Sequence, residues 1–143
     1  EIAPSDWSSD VCSSDLVSLT TGQTVYVVAW VRFRVDVAAP IFGLTIKTPD
    51  GVTVYGSNSR DFPGGPVIRS ARAGELVRVV FQIDLRIGAG DFLMSLGVAR
   101  EVGGGDVEPL DRRYDSILVN VRRTSRCHGL ADFDMRVEIE GQA

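Results

Sequence analysis

One histidine, one lysine, two cysteines and no apolar run long enough to cross a bilayer mark this chain, and each shortage closes off a class of function. His128 has no second histidine to share a metal, and no Gly-x-Ser-x-Gly elbow exists for it to activate. Its neighbour Cys127 is no nucleophile for it either, because adjacent residues of an extended chain point to opposite faces. Cys12 and Cys127 sit in unrelated contexts and suggest neither a disulfide framework nor a metal site, which leaves two unpaired thiols in a reducing compartment. The longest uncharged apolar run, Val25 to Val31, is far below the roughly 20 residues of a spanning helix. The N-terminus lacks the basic and apolar regions of a secretory signal.

Positive charge is also scarce. The net charge is −4 and Lys47 is the only lysine, so no cationic surface for nucleic acid is expected. The remaining cations are arginines, whose planar forks suit the hydroxyls and carboxylates of neutral or acidic sugars. Gly103-Gly104-Gly105 lacks the Lys-Ser/Thr that would make a phosphate loop. The carboxylates Asp84, Asp91, Glu101, Asp106, Glu108, Asp111 and Asp115 fall near strand ends, where they read as turn formers and edge charges before they read as a glycosidase pair. No catalytic residue, metal or cofactor is expected.

What is present is strand pattern. A chain of 143 residues, 44% hydrophobic and 24% charged, has the composition of one globular domain with a core. The organising stretch is Pro40 to Arg60. Ile41, Phe42, Leu44 and Ile46 precede the turn Pro49-Asp50-Gly51, and Val52, Val54 and Tyr55 follow it, which predicts a hairpin. Thr24 to Val35 alternates, with Val25, Val27, Ala29, Val31, Phe33 and Val35 on one face and Tyr26, Val28, Trp30, Arg32 and Arg34 on the other. Glu75 to Leu85 repeats the pattern with Val77, Val79, Phe81, Ile83 and Leu85 inward. Further strands are predicted over Asp91 to Glu101, Tyr114 to Arg122 and Phe133 to Ile139, with Asp61 to Gly74 a surface loop. Seven or so strands without helical period describe an all-β, immunoglobulin-like antiparallel β-sandwich over residues 17–143. An open barrel is the neighbouring possibility. Residues 1–16, rich in Ser and Asp and lacking alternation, are expected to be disordered or non-native, with no role for Trp7 or Cys12.

The segment Pro40-x-Phe42-Gly43-Leu44-x-Ile46, the Asp50-Gly51 turn, Tyr55-Gly56-x-Asn58-Ser59, and the later Ala73-Gly74-Glu75 before an apolar strand resemble the C-terminal domain of the ATPase subunits of bacterial O-antigen ABC transporters, the Wzt C-terminal domain family. The resemblance runs from about Val17 to Gly141. It implies a β-sandwich that binds O-antigen polysaccharide in the cytoplasm, peripheral to the inner membrane. It also implies a homodimer joined to the membrane subunit through an ATPase domain on the N-terminal side.

Sugars are held by aromatic rings against their C–H faces and by planar polar groups on paired hydroxyls. Tyr26, Trp30, Arg32 and Arg34 form such a row on the outer side of the long strand, joined by Arg78 and Gln82 if the 75–85 strand pairs alongside. The competing reading has Trp30 covered by a loop or partner and the arginines merely solubilising. Asn58 and Arg60 are the second candidates. Asn58 and Ser59 either lock their own loop, which turn chemistry favours, or face the ligand with Arg60. A structural or dimerisation module without glycan binding is the alternative function.

Overall fold

The computed structural model describes residues 5–8, 16–124 and 127–141. Eight strands and no helix occur among them: β1 Ser5–Ser8, β2 Val17–Thr20, β3 Thr24–Phe33, β4 Ile41–Lys47, β5 Thr53–Asn58, β6 Leu76–Asp84, β7 Gly90–Glu101 and β8 Val107–Arg122. A three-stranded sheet in the order β1-β3-β6 faces a five-stranded sheet in the order β2-β8-β7-β4-β5. The result is an immunoglobulin-like β-sandwich in which β2 and β8 pair in parallel.

Alternation explains which faces meet. In β3, Val27, Ala29, Val31 and Phe33 are buried while Tyr26 and Arg32 are exposed, and the register Val31↔Val77, Ala29↔Val79, Val27↔Phe81 aligns the inner set of β6 with them. Leu44, Ile46, Phe92, Met94, Leu96, Val98, Ile117, Val119 and Val121 meet them from the other sheet. Phe33 and Phe42 join the layers edge to face, with centroids 6.3 Å apart and planes at 87°. The β4–β5 hairpin closes where the Gly51 amide donates to the Thr48 carbonyl (3.0 Å) and the Thr48 amide donates to the Val52 carbonyl (2.9 Å). Gly51 takes φ +94° there, a conformation that glycine adopts at little steric cost.

The structure departs from sequence expectation at four places. β3 stops at Phe33 and Val35 is exposed, because Asp36 accepts from the Ala73 amide (2.7 Å) and Val37 bridges Ala71, turning the chain toward the 61–74 loop. Ser5–Ser8, assigned by composition to an unstructured end, pairs with β3; the rest of 1–15, with Cys12, lies outside the described residues. β8 begins at Val107 rather than Tyr114. The expected last strand, Phe133 to Ile139, joins no sheet. Its chain bridges Ile87 through Ala131, after which the Asp134 amide donates to Asp132 Oδ1 (2.9 Å) and Asp134 takes φ +53°. That turn carries residues 133–141 off the edge.

The bridge at Ala131 depends on Gly88. A Cβ on Gly88 would lie 2.5 Å from the Gly129 carbonyl oxygen, a backbone atom that cannot swing away. Gly88→Ala is therefore expected to cost about 1–3 kcal/mol, typical of overpacking, read as a lower urea midpoint at unchanged m-value.

Candidate functional site

The outer face of the five-stranded sheet is paved with small residues. One cross-strand row reads Asn58, Gly43, Gly97, Arg112 across β5, β4, β7 and β8. With strands about 4.8 Å apart, the two flanking residues stand roughly 14 Å from each other. Neither residue between them has a side chain. The neighbouring row sets Gly56, Thr45 and Ser95 side by side. These rows floor a trough of about 450 Å³ that Arg60, Arg112 and Tyr114 wall.

The wall on β8 is raised by an irregularity. Between the pairs Leu96↔Arg113 and Met94↔Ile117, β8 carries extra residues. The Asp115 amide donates to Ser95 Oγ (2.9 Å), and Ser116 Oγ donates to the Met94 carbonyl (3.3 Å). Asp115 takes φ +51°. Such a bulge bends the strand and re-aims its side chains; here Tyr114 is left exposed at the trough, and its hydroxyl accepts from Arg112 Nη1 (3.2 Å). Lys47 and Asp115 pair at 3.0 Å toward one end of the trough. Arg60 pairs with Glu101 and with Asp61, each at 3.5 Å, toward the other.

The residues expected from sequence divide between the two sheets. Tyr26, Trp30 and Arg32 share the outer face of the three-stranded sheet, with Gln82 opposite Tyr26 and Arg78 opposite Trp30. Arg32 donates to the Gly74 carbonyl (3.1 Å), and Trp30 is half-buried. Arg34 lies beyond the end of β3. Asn58 and Arg60 belong to the trough on the opposite sheet. Asn58 Oδ1 accepts from the Arg60 (2.9 Å) and Asp61 (3.0 Å) amides while its Nδ2 donates to Asp61 (2.9 Å), so its polar atoms fasten its own loop. Ser59 Oγ accepts from the Phe42 amide (3.0 Å). Asn58→Ala should leave two amides short of a partner and cost about 1 kcal/mol, with faster amide exchange at Arg60 and Asp61 as the readout.

The sequence alone does not mark Gly43, Gly97, Arg112 and Tyr114 as site residues. The available signal was a glycine inside each of two alternating strands, which marks a bulge or a close backbone approach. Nothing in the sequence says that the two become neighbours.

A second feature is apolar. β6 pairs with β3 along one edge, and among the described residues no strand pairs with its other edge. A cleft of about 700 Å³ opens there between the sheets, lined by Phe42, Leu44, Val79, Phe81, Ile83 and Phe62. Arg69 stands at its mouth and pairs with Glu75. Glu75 accepts from the Arg72 amide (3.0 Å). That bond first, and the Arg69 side chain second, hold the Glu75 carboxyl below the usual glutamate range. A carboxylate whose folded pKa is depressed stabilises above its unfolded value and loses the effect as pH falls through the folded one. Acidification below the ordinary glutamate range should loosen the 69–75 turn, seen as faster exchange of the Arg72 amide, and Glu75→Gln should abolish that dependence.

Among the described residues no group of His, Cys, Asp and Glu is placed to hold a metal, and no helix is long and apolar enough to cross a membrane. Asp84 accepts from Thr24 (2.8 Å), Asp91 from Asn120 (2.7 Å), and Glu108 pairs with Arg100 (2.8 Å). Cys127 is partly buried and His128 exposed.

Fold and surfaces together define an immunoglobulin-like module with a small-floored trough on one sheet and, among the described residues, an unpaired edge on the other. The family model described as the Wzt C-terminal domain matches residues 13–133. The chain belongs to that family, a non-catalytic C-terminal domain of an ABC-transporter subunit. A solved structure titled "Crystal structure of the C-terminal domain of wzt" is 32% identical, with a TM-score of 0.81 over 86% of this chain and 74% of that one. No curated protein matches.

Proposed function

We propose that the chain binds a polysaccharide without altering it, as the substrate-recognition domain of an O-antigen exporter's ATPase subunit. It would act at the cytoplasmic side of the inner membrane and reach the membrane subunit through the ATPase domain. The observation that carries this reading is the Gly43–Gly97 pair between Asn58 and Arg112. Mid-strand glycine weakens a sheet by roughly 0.5–1 kcal/mol, and two in register clear a floor on which a sugar ring can lie against backbone. Tyr114 offers an aromatic ring at its side, and Arg112 offers planar donors. Weak affinity per site is expected, since hydroxyls exchange bonds to water for bonds to protein with small net gain.

Titration with O-polysaccharide fragments, followed by NMR, tests the reading: shifts should cluster at Gly43, Gly97 and Tyr114. The Tyr26–Trp30–Arg32 row is the competing surface. If the trough is the site, Trp30→Ala leaves affinity within about twofold; a tenfold loss in a folded variant would move the site to that sheet.

The open edge favours self-association in addition. Residues 133–141 alternate as a strand, yet Phe133, Met135, Val137 and Ile139 are 92%, 87%, 71% and 90% exposed. Extending the Ile87↔Ala131 register would set Phe133 opposite Leu85, Met135 opposite Ile83, Val137 opposite Phe81 and Ile139 opposite Val79. Val79, Phe81 and Ile83 are inward residues of β6 that line the cleft, and Leu85 follows the end of that strand. The Asp132–Asp134 turn directs the tail away from its own β6, so the proposed occupant is the tail of a second copy, adding a strand to the edge. A homodimer of this kind presents two troughs and offsets weak single-site affinity by avidity.

A further inference from the structure

We infer that Arg112 reads a carboxylate on the bound saccharide, so that the trough prefers a glycan containing uronic acid to a neutral one; this rests on the glycan reading above. Among the described residues, charge pairing around the trough leaves one cation over. Lys47 is matched by Asp115 and Arg60 by Glu101 and Asp61. Arg112 has no carboxylate within ion-pair distance among the described residues; its one partner there is the neutral Tyr114 hydroxyl. It is the unmatched cation of the trough wall.

Its position is also constrained. Arg112 stands directly across from Gly97, and its Cγ lies 3.9 Å from where a Gly97 Cβ would be. The stem therefore packs on the sheet while Tyr114 steadies the guanidinium. One N–H goes to that hydroxyl, and the remaining donors present a fork whose spacing matches the two oxygens of a carboxylate. A neutral hydroxymethyl group at the same place accepts one bond and leaves the charge unmatched. The Tyr114 hydroxyl, already accepting from Arg112, has its own proton to donate to the ligand. The surrounding carboxylates, each paired with a cation, repel an acidic sugar less than their number suggests.

The test uses glycan pairs that differ only in this group: oligosaccharides of several uronic acids, each beside its carboxyl-reduced counterpart with the same linkages. Calorimetric titration of the full chain at low salt is expected to show roughly fivefold tighter binding of the acidic member, the value of one partly exposed charge pair. Near 1 M salt, where screening acts over about 3 Å, the members should approach parity. Arg112→Gln should bring the ratio to about one at low salt while reduced oligosaccharides still bind, and Arg112→Lys should restore only part of it. Equal binding of both members by the unaltered chain, or a preference that survives Arg112→Gln, overturns the inference and leaves the glycan reading standing. Failure of every member of every pair to bind overturns that reading, and this inference with it.

Discussion

Removing residues 133–141 is expected to turn a dimer into a monomer and to leave an apolar cleft open to solvent. Burial of each of Phe133, Met135, Val137 and Ile139 is worth about 1.5–3 kcal/mol, and each dimer contains the set twice by symmetry. A single Val137→Asp change thus removes at least about 3 kcal/mol across both tails, a weakening of the dimer by a factor of at least ~100. Sedimentation equilibrium on the full chain should give a concentration-dependent dimer, and on the shortened chain a monomer. The shortened chain should also bind a hydrophobic dye through Val79, Phe81 and Ile83, which line the cleft. A monomeric full chain at all accessible concentrations would sink the strand-exchange proposal. Exposed apolar edges of this type invite uncontrolled association, so the shortened chain is also expected to aggregate more readily.

Gly97→Val should abolish glycan binding, by about 100-fold or more, while leaving the sandwich intact. A Cβ at Gly97 would meet the Asp111 carbonyl at 3.7 Å and Arg112 Cγ at 3.9 Å, ordinary contact distances that the strand accommodates. Valine suits a β-strand better than glycine does, so the midpoint of unfolding is expected to hold or rise. The added methyls occupy the trough where a sugar would approach the backbone. Improved stability with lost binding separates a ligand-clearing glycine from a merely tolerated one. Retained affinity in Gly97→Val would place the glycan elsewhere.

Much of the sandwich was legible in the order of residues. The inward sets of β3 and β6 follow from strict alternation, since successive side chains of a strand point to opposite faces. The hairpin follows from Pro49-Asp50-Gly51, because only the last of these enters the left-handed region at little cost. Other features resisted. Val35 continues the alternation of β3, but Asp36 and Val37 make long-range bonds to Ala73 and Ala71, and these end the strand. Local pattern carries no information about so distant a partner.

The site was less legible than the fold for the same reason. Turn chemistry reads Asn58 and Ser59 as a loop lock, and Asn58 does fasten its loop; it says nothing of Arg60. The trough rests on Gly43 and Gly97, which lie far apart along the chain and adjoin only through the register of β4 on β7. Tyr114 reaches the trough through a bulge whose extra residues have no signature in the sequence.

Residue order by itself determined the class of fold, the absence of a second histidine and of cationic excess, and the alternation of 133–139. Tertiary structure alone decided that this last segment leaves its own sheet, which strands lie side by side, and hence where a cleared floor faces an unmatched arginine. The reason is physical: alternation is a property of neighbours along the chain, whereas pairing is chosen by competition among all the edges that a folded chain presents.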